Sequence, residues 1–296
     1  MVFPQTEIGV DRGGIRAYAQ AAYDLGYRHL VAYDHVVGAD PLVHEGWSGP
    51  YDVSDSFHEP MVMFGYLAGI CELELVTGIL VAPQRQTALL AKQAAELDVV
   101  SNAKLRLGLG LGWNEVEYEA LGQEFKTRGA RLEEQIGLLR RYWTEESFTY
   151  DGRFDTARGV GISPLPLRRP IPIWIGAYAD PALERVGRLA DGWFPQAKPG
   201  GELARSLEII DASARAAGRD PDCIGMEARV DLAGYSLDDV ASHAESWRES
   251  GAAYLSVNTM RAGVKSADGH IEAIAKLADV LGVGRRESEL TDSGEA

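Results

Sequence analysis

The chain is poor in cysteine, in positive charge and in long apolar runs, and each shortage removes a class of protein. Its two cysteines, Cys71 and Cys223, cannot build a disulfide framework or a four-thiolate zinc site. Against 44 Asp+Glu stand 29 Lys+Arg, a formal charge of −15. That balance argues against nucleic acid or an anionic membrane as the main partner, because both need a basic face. No apolar run reaches the roughly 18 residues of a membrane span, and Met1-Val2-Phe3-Pro4-Gln5 has no signal-peptide character. A Walker A sequence and a Gly-x-Ser-x-Gly elbow are also missing. Neither His44-Glu45 nor His58-Glu59 is followed by a second histidine at zincin spacing, and no His-x-His ends the first strand. No metal ligands are therefore assigned. What is present, 46% apolar and 25% charged residues in a length of 296, is ordinary globular material. The expectation is a soluble, cytoplasmic, single-domain protein.

Short apolar runs followed by amphipathic stretches recur along the chain. Val2-Phe3-Pro4 precedes a helical stripe at Ile15, Tyr18, Ala22 and Leu25, and His29 to Tyr33 forms the second run. Leu73 to Leu80 precedes Leu90, Ala94, Leu97 and Val100; Leu105 to Leu109 precedes Leu132, Ile136, Leu139 and Trp143. The beat pauses over residues 147–170, with a hairpin turn at Asp151-Gly152, and resumes at Ile171 to Ile175. Strands around Gly192-Trp193-Phe194, Ile224 to Leu232 and Ala253 to Val257 follow, each with its stripe. Eight strand–helix alternations mean parallel strands with crossover helices, and this length favours a closed (β/α)8 TIM barrel over an open sheet. The domain is expected to span 1–282, with an insertion segment at about 147–170 before strand 5. Residues 283–296, polar and aperiodic, are expected to fray.

In such a barrel the chemistry sits at the C-terminal strand ends. Asp34-His35 directly follows the second strand, where a histidine could exchange a proton near neutral pH, although both residue types are also common in turns. Thr77-Gly78-Ile79 ends the third, its glycine marking a close ligand approach or simple packing. Gly108-Leu109-Gly110-Leu111-Gly112-Trp113-Asn114 strips side chains from one face of the fourth. At the fifth, Gly176-Ala177-Tyr178-Ala179 leads to Asp180 as an N-cap and Pro181 as the first helical residue, a place where amides can meet a phosphate.

Taken in order, Tyr33-Asp34-His35, Thr77-Gly78-Ile79, Leu97-Asp98-Val99-Val100-Ser101, the run from Leu107 to Glu115, Glu119-Ala120-Leu121-Gly122, Pro172 to Gly176 and Ala190-Asp191-Gly192-Trp193 resemble the luciferase-like monooxygenase superfamily. The branch most resembled is the one that uses the deazaflavin coenzyme F420. The similarity runs from about Phe3 to Leu281. It implies the same barrel and insertion, a tricyclic ring at the C-terminal mouth, and a non-prolyl cis peptide, here Gly78–Ile79, against one face of that ring. The resemblance further implies that Asp34, Thr77, Gly78, Ile79, Gly110, Gly112, Trp113, Asn114, Gly176, Ala177, Tyr178 and Ala179 bind the cofactor. His35 matches an acid/base position. Trp113 stands where related sugar-phosphate dehydrogenases carry an acidic glutamate, which sets that substrate aside; Glu7 is a loose candidate for a replacement carboxylate.

Implied, then, is an oxidoreductase moving hydride between F420 and a small, apolar organic substrate. Trp47, Tyr51, Phe57, Trp113, Tyr178 and Trp193 are candidates to line the substrate pocket, or else belong to the core. Arg85, Arg128, Arg131 and Lys198 are candidates to neutralise the anionic tail, although Arg131 and Glu134 at i, i+3 also fit a solvated helix face. A homodimer and a partner enzyme that reduces F420 or flavin come with the resemblance. Two other readings use the same barrel: an FMN-dependent two-component monooxygenase, and a non-catalytic barrel that binds a flavin or deazaflavin. A third is an unrelated phosphate-binding isomerase barrel.

Overall fold

Residues 1–284 are described by the computed structural model; the fraying expected from Val283 onward falls, past Gly284, outside the described residues. In chain order the elements are α1 (Gln5–Ile8), α2 (Arg12–Asp24), β1 (His29–Ala32), α3 (Pro60–Ala68), β2 (Glu74–Thr77), β3 (Leu80–Val81), α4 (Thr87–Val100), β4 (Leu105–Gly110), α5 (Glu115–Ala120) and α6 (Arg128–Thr144). Then come β5 (Phe148–Asp151), β6 (Thr156–Val160), β7 (Ile173–Ala177), α7 (Asp180–Leu189), β8 (Gly192–Pro195), α8 (Gly201–Ala216), β9 (Gly225–Asp231), α9 (Leu237–Glu249), β10 (Tyr254–Asn258) and α10 (Ala267–Val280).

The parallel sheet runs β1-β2-β4-β7-β8-β9-β10, with β3 continuing the β2 stave against β4. Met1 to Phe3 fill the remaining position and close the cylinder. Val2 bridges Val31 in parallel, its amide donates to the Val257 carbonyl at 2.9 Å, and the Phe3 amide donates to Val31 at 2.8 Å. The first stave is thus shorter than its apolar run implied, because Pro4 has no amide to continue the ladder and α1 begins at Gln5. Helix α3 carries no visible sequence period, being apolar on nearly every face. On α4, Leu90, Ala94 and Leu97 are buried as expected, whereas Val100 at the last turn is half exposed. The segment between α6 and β7 forms the antiparallel β5–β6 hairpin. Its turn is held by Glu134, which accepts from the amides of Arg153, Phe154 and Asp155 at 2.9, 3.0 and 2.8 Å rather than pairing with Arg131. No helix among the described residues is long and apolar enough to cross a membrane.

Strand alternation sorts the chain into two faces. Leu30, Ala32, Leu75, Leu105, Leu107, Leu109, Ile173 and Ile175 are buried in the main core with the helices. The other face looks into the barrel, where a small cluster of Val2, Val31, Val76 and Met260 is joined by ions, aromatics and glycine in place of full layers of Val, Ile and Leu. Arg106 lies between the rings of Trp174 and Tyr254, at 4.5 and 4.2 Å from their centroids. It also bonds Glu227 at 2.5 Å and Glu74 at 3.0 Å, and His29 Nε2 meets Glu227 at 3.1 Å. Trp174 fills the space that Cβ atoms on Gly192 and Gly225 would take.

This buried layer sets an acid limit on stability. Burial pushes the His29 imidazole below its ordinary value. Burial also works against the Glu227 carboxylate, but His29 and Arg106 outweigh it and hold the group at about 2. Below pH 6.5 the unfolded chain therefore takes up a proton that folded His29 refuses, and below 4.5 one that folded Glu227 refuses. The contribution of these two groups is full above their ordinary values and is lost as the pH drops through them, most steeply between 4.5 and about 2; the buried Met1 amine, lowered from 8.0 to about 5, adds a loss that begins below 8. Urea midpoints measured from pH 8 to pH 3 should decline with falling pH, most steeply below 4.5; a flat profile down to pH 3.5 would remove this assignment.

Candidate active site

Above the ion layer the interior opens into a cavity of about 580 Å³ at the C-terminal strand ends. The cavity exists because of what the strands lack. Gly78, Gly110 and Gly176 present bare backbone to it, and Gly112, at φ +65°, turns the chain away after β4. The peptide bond Gly78–Ile79 is cis and interrupts the third stave between β2 and β3. The Ile79 side chain is pushed out over Gly110 and Gly176, where a Cβ on either glycine would meet it. Gly78 serves both of its expected readings: it lines the cavity, and a Cβ there would strike Val31. The remaining wall includes Leu111, Trp113, Ala177, Tyr178, Ala179, Phe194 and Gln196, with two cations, Arg128 and Arg229.

A smaller chamber of about 210 Å³ adjoins it and shares Trp113. His35 lines it together with Val36, Val37, Tyr51, Phe57 and Asn114. The imidazole packs among the rings of Phe57, Tyr51 and Trp113, with centroids 4.7, 5.4 and 5.5 Å away. Its Nδ1 lies 3.3 Å from Glu117 Oε2, a carboxylate only 1% exposed that also accepts from the Val36 amide at 2.5 Å. Burial alone would raise Glu117, but the bonds from His35 and Val36 prevail and hold its carboxyl below the usual range. A carboxylate can only accept, so Nδ1 carries the proton of this bond and Nε2 is left to exchange one with a ligand.

The loop chemistry that places Glu117 is local. Asn114 caps α5 by accepting from the Glu117 amide at 3.2 Å. Asn114-Glu115-Val116-Glu117 spells a capping box, in which the glutamate would ordinarily reach back to the cap amide. Here it reaches instead across to His35. That pattern was the one sequence signal for Glu117, and it pointed to a structural use. Arg229 carried no signal beyond its place at a strand end, and Tyr33 only its place in the Tyr33-Asp34-His35 run.

Nine of the thirteen residues expected at the site line the larger cavity: Gly78, Ile79, Gly110, Gly112, Trp113, Gly176, Ala177, Tyr178 and Ala179. His35 and Asn114 line the smaller one. Thr77 is buried and donates from Oγ1 to the Gly108 carbonyl at 2.7 Å. Asp34 lies behind the wall; its oxygens accept from the Val81 amide at 2.9 Å and from Arg85 at 2.7 Å, which ties β3 to β1. Burial pushes its carboxyl up against the pull of Arg85.

Of the expected cations, Arg128 faces the cavity, with its guanidinium carbon 3.6 Å from the Phe125 centroid and a buried Nε that has no hydrogen-bond partner among the described residues. Arg85 is held by Asp34 and Glu59, Arg131 donates to the Arg85 carbonyl, and Lys198 lies in a separate pocket beside Tyr235. Trp193 belongs to the core, donating to the Ala177 carbonyl at 3.0 Å. Glu7 is engaged by the Arg261 amide at 2.8 Å and by His270 at 3.1 Å, away from both chambers. Asp180 is the first residue of α7 rather than its cap, and its carboxylate is drawn off by Arg205.

The family model described as luciferase-like monooxygenase matches residues 4–291. A phthiodiolone/phenolphthiodiolone dimycocerosates ketoreductase of Mycobacterium tuberculosis is 32% identical over 200 residues, covering 65% of this chain and 52% of that protein. The chain spans about half the length of the curated relatives it matches. A monooxygenase from Streptomyces bottropensis superimposes with a TM-score of 0.76 at 18% identity, over 95% of this chain and 97% of that one. A coenzyme F420 dependent tetrahydromethanopterin reductase from Methanopyrus kandleri gives 0.72 at 15% identity, over 93% and 95%. At these identities the structural likeness speaks for the fold.

Proposed function

The chain belongs to the luciferase-like monooxygenase family, and from that premise we propose that it is an oxidoreductase transferring hydride between coenzyme F420 and a small apolar organic substrate. The observation that carries this reading is the pairing of two chambers across Trp113: a wide, glycine-walled one over the cis bond, and a narrow aromatic one holding His35. The larger volume is within the range of cofactor sites. Bare backbone at Gly110 to Gly112 and Gly176 leaves room for a flat ring, and the unpartnered Nε of Arg128 offers a cation to an anionic tail.

Such a coenzyme, when bound, supplies a two-electron hydride carrier that reacts little with oxygen. The protein's part is position, dryness and a proton. Ile79 props the ring from below, while Gly176 to Ala179 and Arg128 hold its tail. Tyr51, Phe57 and Trp113 exclude water around the substrate. His35 exchanges the proton that accompanies hydride, with Glu117 fixing its tautomer.

The ketoreductase and the F420 dependent reductase among the similar proteins support this reading, and the monooxygenase favours the FMN-dependent alternative on the same barrel. Equilibrium titration of the apoprotein with oxidised F420 and with FMN separates them. F420 is expected to bind more than about 10-fold tighter, a difference of roughly 1.4 kcal/mol; the reverse order would transfer the site to flavin and oxygen. Tight binding with no turnover across a substrate screen would indicate a carrier. A homodimer and a separate enzyme that reduces the coenzyme complete the proposal.

A further inference from the structure

Of the two cations in the large cavity, Arg128 stands at the start of α6 over Phe125. Arg229 lies on β9, on the interior face of the barrel, and the mechanism above gives it no task. Its Nη1 donates to the Tyr33 hydroxyl at 3.4 Å and its Nε pairs with Asp231 at 3.4 Å, both long contacts. Nη2 has no polar partner among the described residues, and the side chain is 45% exposed, lining the large cavity on one side and the pocket beside Tyr235 on the other. Asp231 is itself shared with the Asn258 amide, which donates at 2.8 Å. The guanidinium is therefore only partly neutralised.

Tyr33 is the second half of the arrangement. Its backbone is clamped by Gln5, which accepts from the Tyr33 amide at 3.2 Å and donates to its carbonyl at 2.9 Å. Its ring stands beside Gly78, where a Cβ would come within 3.8 Å of Cε1. Because a guanidinium can only donate, the Tyr33 hydroxyl accepts from Arg229 and keeps its own proton to give. Burial raises that phenol to about 12, against the pull of Arg229, so it is a neutral donor at working pH. Below this pair, Glu227 is committed to Arg106 and His29, and Ser256 to the Ala228 carbonyl. Two converging donors backed by a positive charge suit an oxygen that gains negative charge during the reaction.

Hydride addition delivers a proton and two electrons to a neutral ring and leaves it with one extra negative charge, spread over the N–C=O edge of its pyrimidine portion. We propose that Tyr33 and Arg229 bind that edge and so hold the reduced coenzyme more tightly than the oxidised one. The inference rests on the F420 reading above. It assigns this pair the redox preference of the cavity, separate from the proton transfer at His35.

The test is equilibrium dialysis of the apoprotein, without substrate, against oxidised and chemically reduced F420 under anaerobic conditions. Wild type is expected to favour the reduced form about 10- to 100-fold, the range for hydrogen bonds to a charged group. Arg229→Gln should lose most of that ratio while its affinity for the oxidised form stays within about 3-fold. Arg229→Lys should keep part of the ratio, and Tyr33→Phe should lose a smaller share. Equal affinity of wild type for the two forms, or equal weakening of both in Arg229→Gln, overturns the proposal and leaves the F420 reading intact. Binding of neither form by correctly folded wild type overturns both.

Discussion

Replacing His35 by alanine is expected to lower turnover about 10²–10⁴-fold, the usual contribution of a positioned acid or base, with coenzyme affinity nearly unchanged. The separation follows from geometry. His35 lines the 210 Å³ chamber and not the 580 Å³ cavity, so its loss enlarges the smaller chamber and leaves the glycine walls and Arg128 in place. Glu117→Gln should give a smaller loss. The amide oxygen can accept from only one of Val36 and His35, and the amide nitrogen that replaces the other oxygen is itself a donor, so the tautomer of His35 is no longer fixed. Single-turnover rates and F420 affinity measured on the same preparations check both. Unchanged turnover in His35→Ala would take the residue out of the reaction, and a parallel collapse of affinity would make it a structural residue.

A second large effect is expected from two glycines that look alike in sequence. A Cβ on Gly108 would overlap the Thr77 carbonyl, backbone of the neighbouring stave, together with the Phe194 ring. Backbone cannot yield without separating β2 from β4, whose register pairs Val76 with Arg106 just below. Gly108→Ala is therefore expected to cost about 3 kcal/mol or more, the upper end for overpacking. It should appear as a lowered urea midpoint and poor yield. A Cβ on Gly110 would meet the Cγ1–Cδ1 arm of the Ile79 side chain and no backbone. Gly110→Ala should fold, push Ile79 into the cavity and weaken F420 binding about 10-fold or more. Two variants with equal stability would contradict the packing argument.

Much of this architecture was legible beforehand. Alternation of apolar runs with stripes such as Leu132, Ile136 and Leu139 encodes parallel strands and crossover helices, since burial of one face is a property of local period. The glycine-walled mouth falls where Gly108 to Gly112 placed it, and the cis bond where the family resemblance implied it. Local rules failed at α3, whose apolar surface has no period, and at Asp180, where a strong ion pair with Arg205 took the expected cap. Of the two readings open for Trp193, the core one holds: its ring is buried and its indole donates to the Ala177 carbonyl.

Residue order alone determined the barrel, the position of its working end and the bare strand tips there, because period, turn chemistry and missing side chains are written into neighbours a few places apart. Which groups meet at that end was decided only by closure of the cylinder. Glu117 reaches His35 across 82 positions, and Arg229 reaches Tyr33 across 196. The contact of two side chains on different staves depends on the register and curvature of the whole sheet, and no short stretch of chain contains that information.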